Sequence, residues 1–435
     1  MFQNSLPFAR SLDEQDPLKK FRQRFLFPAA GGRKSIYFCG NSLGLQPANL
    51  HTYIEQELKD WAEMAVEGHV HARNPWISYH KTLSESAAKI VGALPQEVII
   101  MNSLTVNLHL LMVSFYRPDK QRYKIIMEAG AFSSDMYAVE SQVKYHGLDP
   151  DTAIVELKPR DKEFTIRHED ILEAIDKNKK ELALVLIGGV NYYTGQAFDM
   201  KRIVSAAHKA GALAGFDLAH AAGNIYLDLH DWKADFAVWC TYKYLNSGPG
   251  AVGGAFIHEK HLRRKDLPRF AGWWGHQEKE RFLMKKGFKP TPSAEGWQVS
   301  NAPVLSMAAH KASLDIFEEA GIRNIIHKSQ RLTGYMEYLI STECRVLSAE
   351  ERRMSPSPLH KIKIITPKEP DQRGAQLSIL VRKNSQELFE NLKLEGFMVD
   401  WRSPNVIRVA PAPLYNTFEE VYKFSSLVAR TCCHE

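Results

Sequence analysis

The stretch from Ala214 to Gly254, AGFDLAHAAGNIYLDLHDWKADFAVWCTYKYLNSGPGAVGG, concentrates residues that can do chemistry. Phe216-Asp217 closes an apolar run and His220 follows it, while a second apolar run, Phe236–Cys240, ends at Thr241-Tyr242-Lys243. If both runs are strands of one sheet, a carboxylate, an imidazole and a lysine emerge at the same edge. A lysine amine condenses with an aldehyde to a Schiff base. A carboxylate facing a pyridine nitrogen keeps that ring protonated and electron-withdrawing, and these are the demands of pyridoxal phosphate. Taken singly, Asp217 reads as a helix cap and Lys243 as a surface lysine after a strand. Together, with Lys243 leading into the small-residue loop Asn246, Ser247, Gly248 and Gly250, they read as a cofactor site.

A phosphate needs donors, and the turn MNSLTVNLHLL offers them. The run Glu97–Met101 passes through Ser103-Leu104-Thr105 into a helical pattern, whose first amides and threonine hydroxyl suit an anion. Ser103 or Thr105 acting only as an N-cap is the compatible alternative. GAFSSD, Gly130–Asp135, follows the run Tyr123–Met127 and brings Phe132, an aromatic able to stack on a planar ring or to fill the core. GPGAVGG, Gly248–Gly254, has the G-x-G-x-x-G spacing of a dinucleotide fingerprint but leads into Ala255-Phe256-Ile257, a strand pattern, where that fingerprint opens a helix; a dinucleotide site is set aside. His69-x-His71 offers two imidazoles with no third ligand nearby, so no metal is expected.

Positioning these groups takes a sheet. From about residue 85 to 260, strand patterns at Glu97–Met101, Tyr123–Met127, Ala153–Leu157, Leu182–Ile187, Leu213–Phe216, Phe236–Cys240 and Gly254–His258 alternate with helical ones at Asn107–Tyr116, Ser134–Tyr145, His168–Lys177 and Met200–Ala210. This predicts an α/β fold with a mostly parallel seven-stranded sheet, whose ligands gather outside the carboxyl ends of the strands. Past Asn301, the spacing Leu305, Ala309, Ala312, Ile316 predicts a bridging helix. Beyond the Pro-rich Ser355–Pro358, strands at Ile362–Ile365, Leu377–Val381, Met398–Trp401 and Val406–Val409 surround a helix at Ser385–Glu395. A last helix opens on a Thr417/Glu420 capping box. The expected organisation is a segment 1–60 packing with the small domain, a large cofactor domain over 61–310 and a small C-terminal α/β domain over 311–435.

Composition sets the outer limits. With 435 residues, 44% hydrophobic and 24% charged, the chain can build two or three domains and is no disordered tail. Its longest apolar run, Leu182–Val190, is too short to cross a bilayer. The net charge of +6 is spread without a dense basic tract, Lys285-Lys286 and Arg352-Arg353 being isolated pairs, so no nucleic-acid partner is expected. Five cysteines, Cys39, Cys240, Cys344, Cys432 and Cys433, lack C-x-x-C spacing and favour a reducing compartment. MFQNSLPFARSLDEQDPL has no apolar secretory core, which makes the cytoplasm the expected location. Cys432-Cys433-His434 reads as incidental.

GNSLGLQP (Gly40–Pro47), NSLTVNLH, DLAHAAGN, TYKYLNSGPG, GWWGH (Gly272–His276), WQVSNAP (Trp297–Pro303) and IRVAPAPLYN (Ile407–Asn416) run in this order along nearly the whole chain. Together they resemble the kynureninase family, fold-type-I pyridoxal-phosphate enzymes of the class-V aminotransferase group. DxAH and the strand-end lysine fit many relatives of that group; GWWGH with IRVAPAPLYN is far more specific. The resemblance implies a homodimer with shared sites that hydrolyses the Cβ–Cγ bond of L-kynurenine or 3-hydroxy-L-kynurenine, a small-molecule substrate, to an anthranilate and L-alanine, with no membrane partner. It implies Lys243 as Schiff-base lysine and proton shuttle, Asp217 on the pyridine nitrogen, His220 against the cofactor and Phe132 on its ring, with Ser133, Ser134 and Asp135 of the same turn. It further implies Leu104, Thr105 and Tyr242 at the phosphate, Tyr193 at the cofactor, and Trp273 and Asn301 reaching in from a partner subunit. Arg408 matches the family arginine for the substrate α-carboxylate, and His69, Ser300 and Asn301 fall near the substrate ring. Gly188 stands where related sequences often carry serine. Tyr242 is also a candidate proton donor.

Rival readings on the same residues are a cysteine desulfurase or an aminotransferase of this fold, and a cofactor-binding protein without catalysis. A desulfurase needs a reactive cysteine on a loop near the site. Only Cys344 is loosely placed for that role, and its surroundings, STECRVLS, lack small flanking residues.

Overall fold

A computed structural model describes residues 2–30, 32–343 and 362–433. Cys344, the Arg352-Arg353 pair, Ser355–Pro358 and His434 lie outside the described residues. Short runs rich in Val, Ile, Leu and Phe become strands β1 (Val98–Ile100), β2 (Lys124–Glu128), β3 (Ile154–Leu157), β4 (Leu182–Gly188), β5 (Leu213–Asp217), β6 (Phe236–Trp239) and β7 (Gly254–Ile257). They form one seven-stranded sheet in the order β1-β7-β6-β5-β4-β2-β3. Strands β2 to β6 run parallel, which buries both faces and explains why the runs are apolar throughout and do not alternate. Strand β7 is antiparallel to both β6 and β1. A Cβ on Gly254 would come within 2.2 Å of the Trp239 ring beside it, so this register admits only glycine.

The longer helices are α1 (Leu6–Glu14), α2 (Leu50–Met64), α3 (Lys81–Val91), α4 (Leu104–Phe115), α5 (Ser133–Tyr145), α6 (His168–Asn178), α7 (Met200–Lys209), α8 (Val304–Ala320), α9 (Ile322–Glu343), α10 (Ser385–Leu394) and α11 (Phe418–Cys433). On one face of the sheet, α4 and α5 bury Leu108, Leu111, Met112, Val139 and Val143. On the other, α3, α6, α7 and α8 bury Leu83, Ile171, Ile203 and Phe317. Among the described residues, no helix is long and apolar enough to cross a membrane.

A second, four-stranded antiparallel sheet follows, from β8 (Ile362–Ile364), β9 (Leu377–Val381), β10 (Asp400–Arg402) and β11 (Val406–Val409), ordered β8-β9-β11-β10. The strand expected at Met398–Trp401 is split. Phe397–Met398 pairs in parallel with Ile36–Tyr37, and the chain changes partner at Val399 before β10 joins β11. Helix α9 bridges the two cores, with Ile325 in the large one and Leu332 to Ile340 in the small one. The first sixty residues are shared out as well: Ala9 and Leu12 of α1 join the small core, whereas Leu18, Phe21, Phe25 and Leu45 join the large one. Thr417 and Glu420 exchange the two bonds of a capping box at the start of α11.

Candidate active site

All the chemistry lies at one edge of the large sheet, where β2, β4, β5 and β6 end and α4 and α5 begin. The GPGAVGG loop runs into β7 and opens no helix, which removes the dinucleotide reading. Its last glycines serve packing: a Cβ on Gly253 would lie 3.0 Å from the Trp239 carbonyl and 3.1 Å from the Leu104 amide nitrogen. Strand β7 can thus press against the start of α4. There the N-cap Ser103 makes no side-chain capping bond. Thr105 Oγ1 meets Ser134 Oγ, from the first turn of α5, at 2.6 Å. Two helix starts with adjoining hydroxyls form a cradle of the kind that holds a phosphate.

Opposite the cradle stands Lys243, at the end of the segment that leaves β6. Its Nζ lies 3.0 Å from His220 Nε2 and 5.8 Å from the centre of the Phe132 ring. Burial, and then the charge of Lys243, hold His220 well below the usual imidazole range. The ring is neutral and accepts the lysine's proton at Nε2. Asp217, the last residue of β5, takes a 2.6 Å bond from the Ala219 amide. Burial raises its pKa, an effect opposed by Asp135, the Ala219 amide and Lys243. Asp135 faces it from α5 and is pushed well above the carboxylate range by burial and by the Asp217 charge, so it holds the proton between the two.

Glu128, at the end of β2, joins this acid group. It is buried, accepts a 3.3 Å bond from Asn191 Nδ2, and is raised to about 8 by burial. Gly188 makes room for it: a Cβ there would sit 3.2 Å from Glu128 Oε1. In the pocket they share, Glu128 Oε2, Asp135 Oδ1 and His220 Nδ1 are buried without a hydrogen-bond partner among the described residues. Orphaned polar atoms around a lysine, with an aromatic on one wall and a phosphate cradle at one end, suit pyridoxal phosphate.

The small sheet meets the pocket wall from behind, at the Tyr192 backbone, and none of its residues lines the pocket itself. Arg408 of β11 is 1% exposed, donates from Nη1 to the Tyr192 carbonyl at 2.6 Å and pairs through Nη2 with Asp400. Burial lowers its pKa to about 10, still a cation at neutral pH. The GNSLGLQP segment straps the two parts together. Gly44 donates its amide to the Tyr242 carbonyl at 2.8 Å, and Asn41 Nδ2 bonds Gln376 Oε1 at 2.9 Å.

Of the residues singled out in the sequence, Leu104, Thr105, Phe132, Ser134, Asp135, Gly188, Asp217, His220, Tyr242 and Lys243 line this one pocket. Ser133 opens α5 beside it, off the lining. The pocket wall carries Tyr192, whose ring meets Phe132 at 5.4 Å, whereas Tyr193 offers its carbonyl to Ser378 Oγ at 2.6 Å. Glu128 and Tyr192 escape the sequence reading because a strand-end acid and one of two adjacent tyrosines carry no spacing signal. Trp273, Ser300, Asn301 and His69 are exposed and lie outside the pocket within the single chain. GWWGH and WQVSNAP nevertheless pack on one another, since a Cβ on Gly272 would meet the Val299 carbonyl at 2.0 Å. His69 and His71 sit on a short helix, Gly68–His71, and not on a strand; at i, i+2 they do not share a face. A larger cavity between α6, α7 and Pro370–Gly374 contains none of these groups.

Sheet order, lysine, paired aspartates and phosphate cradle together define a pyridoxal-phosphate enzyme of the class-V aminotransferase fold. Residues 36–365 match the Aminotransferase class-V family and residues 325–428 the Kynureninase C-terminal domain. Solved structures with the same fold include a cysteine desulfurase from Thermococcus onnurineus (TM-score 0.73, 17% identity, 92% of this chain and 95% of that one) and a C-DES mutant with glycine covalently linked to its PLP cofactor (TM-score 0.73, 15% identity, 93% and 98%). Curated relatives named kynureninase are far nearer in sequence. Those of Myxococcus xanthus (53% identical over 98% of this chain and 96% of the relative), Flavobacterium psychrophilum (51%, 99% and 99%) and Nematostella vectensis (48%, 98% and 93%) align almost end to end. The chain belongs to the kynureninase family.

Proposed function

We propose that the protein hydrolyses the Cβ–Cγ bond of L-kynurenine, or of its 3-hydroxy form, to anthranilate or 3-hydroxyanthranilate and L-alanine, a step of tryptophan catabolism and NAD biosynthesis. The observation that carries this is the Lys243–His220 pair facing the Asp217–Asp135 pair, with Arg408 delivered from the second sheet. The cofactor is pyridoxal 5′-phosphate, which supplies an aldehyde for the substrate amine and a ring that draws electrons from the substrate's α-carbon.

The chain's own groups have distinct tasks. Leu104, Thr105 and Tyr242 would hold the phosphate. Asp217 would pair with the ring nitrogen, and Phe132 and His220 would contact the ring. Lys243 Nζ would join the cofactor aldehyde and, when free, would carry a proton to and from the substrate's α-carbon; Tyr242, kept protonated by burial, could donate one. Arg408 grips the α-carboxylate, a role suited to guanidinium geometry. His69, Ser300 and Asn301 face the aromatic ring of the substrate, and Trp273 and Asn301 complete the site of a partner subunit in a cytoplasmic homodimer. Their exposure on one chain, with GWWGH packed against WQVSNAP, supports that arrangement. Residues 61–310 act as the cofactor domain and 311–435 as the small domain.

A desulfurase needs a nucleophilic thiolate; among the described residues, burial raises Cys240 to about 11 and Cys39 to about 12, away from that state. Adding pyridoxal phosphate to the purified protein should give a visible absorption band, and adding kynurenine should then release fluorescent anthranilate. A band without anthranilate would leave the cofactor and sink the hydrolase; no band would sink both.

A further inference from the structure

Strand register sets three charged residues in one row. Asp400 of β10 stands directly opposite Arg408 of β11, and Arg402, two residues along β10, shares its face. Asp400 contacts Arg408 Nη2 and lies 3.2 Å from Arg402 Nη2, so one carboxylate serves two guanidiniums. Their surroundings differ. The Arg408 side chain is 1% exposed, that of Asp400 17% and that of Arg402 39%. Both arginines lie close enough to His220 to oppose its protonation, which places the row beside the cofactor pocket.

Two of the five N–H groups of Arg408 are committed. Nη1 is committed to the Tyr192 carbonyl and Nη2 to Asp400, leaving buried Nε without a partner among the described residues. Asp400 at Nη2 opposes a second carboxylate on the same guanidinium by its like charge, so a substrate carboxylate takes full hold only when Asp400 draws back from Nη2. A buried guanidinium also needs a counter-charge at all times. The row satisfies both demands if Asp400 has somewhere else to go, and the half-exposed Arg402, whose Nε is likewise without a partner among the described residues, is that place.

We propose that Asp400 stands in for the substrate's carboxylate, occupying Arg408 while no substrate is bound and passing to Arg402 when the substrate arrives, so that this row sets how tightly and how selectively α-amino acids are held. Asp400 and Arg402 are then positioning residues, acting through Arg408. The inference rests on the reading of Arg408 as the carboxylate grip.

The test titrates the holoenzyme with L-alanine and with L-alaninamide, which lacks the carboxylate, and follows the cofactor's absorption. Asp400→Asn should bind L-alanine about 10-fold tighter, the size of one charge-assisted bond released from competition, with L-alaninamide unchanged. Its KM for kynurenine should fall while kcat does not rise. Arg402→Gln, at an exposed position, should bind L-alanine several-fold more weakly, because Asp400 then has no second partner. Equal or weaker L-alanine binding by Asp400→Asn, at an unfolding temperature matching the parent, overturns the stand-in role. Unchanged binding by Arg402→Gln overturns the hand-over even if Asp400→Asn does not fold. A parent enzyme that binds L-alanine no better than L-alaninamide refutes the Arg408 grip itself, and one with no absorption band on adding cofactor refutes the enzyme reading.

Discussion

Lys243 and Glu128 face the same pocket and answer to different controls. Lys243 has a neutral imidazole as its hydrogen-bond acceptor, so its amine is oriented without being neutralised by a carboxylate. Lys243→Ala should lower turnover by at least the 10²–10⁴-fold typical of one lost general acid–base group, with an unchanged unfolding temperature, since the side chain carries no core packing. Stopped assays with kynurenine, paired with thermal melts, check both halves. Glu128 is held up to about 8 by burial, far above the roughly 4.3 of an unfolded glutamate. The sign follows from proton counting. Between those values the folded state keeps a proton that the unfolded state has lost, so stability from this group is full below about pH 4 and lost as pH rises towards 8. Glu128→Gln cannot titrate, so its unfolding temperature relative to the parent should climb from pH 4.5 to pH 8. A constant difference across that range would show that Glu128 is ionised throughout.

The elements convert this chemistry into geometry by close approach. Gly253 lets β7 touch the first turn of α4 at backbone distance, where neither the Trp239 carbonyl nor the Leu104 amide can step aside. Gly253→Ala should cost about 1–3 kcal/mol through overpacking and weaken cofactor binding through the displaced Leu104–Thr105 turn. Melts recorded with and without pyridoxal phosphate should show a lower baseline and a smaller ligand-induced rise. At the opposite edge of the sheet, buried Asp235 holds His208 and His261, each at 2.8 Å, and Lys260 at 2.7 Å. Those bonds keep its carboxyl below the usual range although burial opposes them. A depressed folded pKa gives stability that is complete above the unfolded value of about 3.9 and fades as pH falls through the folded one. Asp235→Asn should therefore flatten the acid limb of the melting curve.

At this scale much is readable from sequence. Apolar runs ending in Asp217 and Lys243 mark both strands and the edge they share, because strand and chemistry lie within thirty residues of each other. What is hidden is pairing. Nothing in Ala255-Phe256-Ile257 says that its strand runs against its neighbours, and nothing in Asp400-Trp401-Arg402 says which strand stands opposite. Glu128, Tyr192 and Asp400 reach the site from three separate elements, brought in by register and packing that no local pattern encodes.

On the proposed reading, the whole molecule builds its site from both sheets and the dimer adds a second chain. Trp273 is 43% exposed on one chain, and the segment that carries it packs against the one that carries exposed Asn301. If Asn301 and Trp273 serve the partner's site while Lys243 serves its own, two inactive enzymes should rescue each other. Mixing Lys243→Ala with Asn301→Ala under conditions that exchange subunits should restore about a quarter of the parent activity, because half the re-formed dimers are mixed and each holds one intact site. No recovery, with exchange demonstrated by mass, would show that each chain keeps these residues to itself.

The partnership of β1 with β7 also dictates a schedule. Strand β1 is bonded in the large sheet only to β7, so the strand that leads into the Leu104–Thr105 turn has no sheet partner until Gly254–Ile257 has been synthesised. On the ribosome, β2 to β6 can assemble as a parallel block with α4 packed on it through Phe115 and Phe236, while β1 waits unpaired across some 150 residues, whose closure costs entropy before any contact repays it. The last strand of the sheet is thus the one that braces the start of α4. Nascent chains cut short before Gly254 should present His220, Asp217 and Asp135 beside a Leu104–Thr105 turn that β7 does not yet hold, so cofactor binding should strengthen only after that strand has left the exit tunnel.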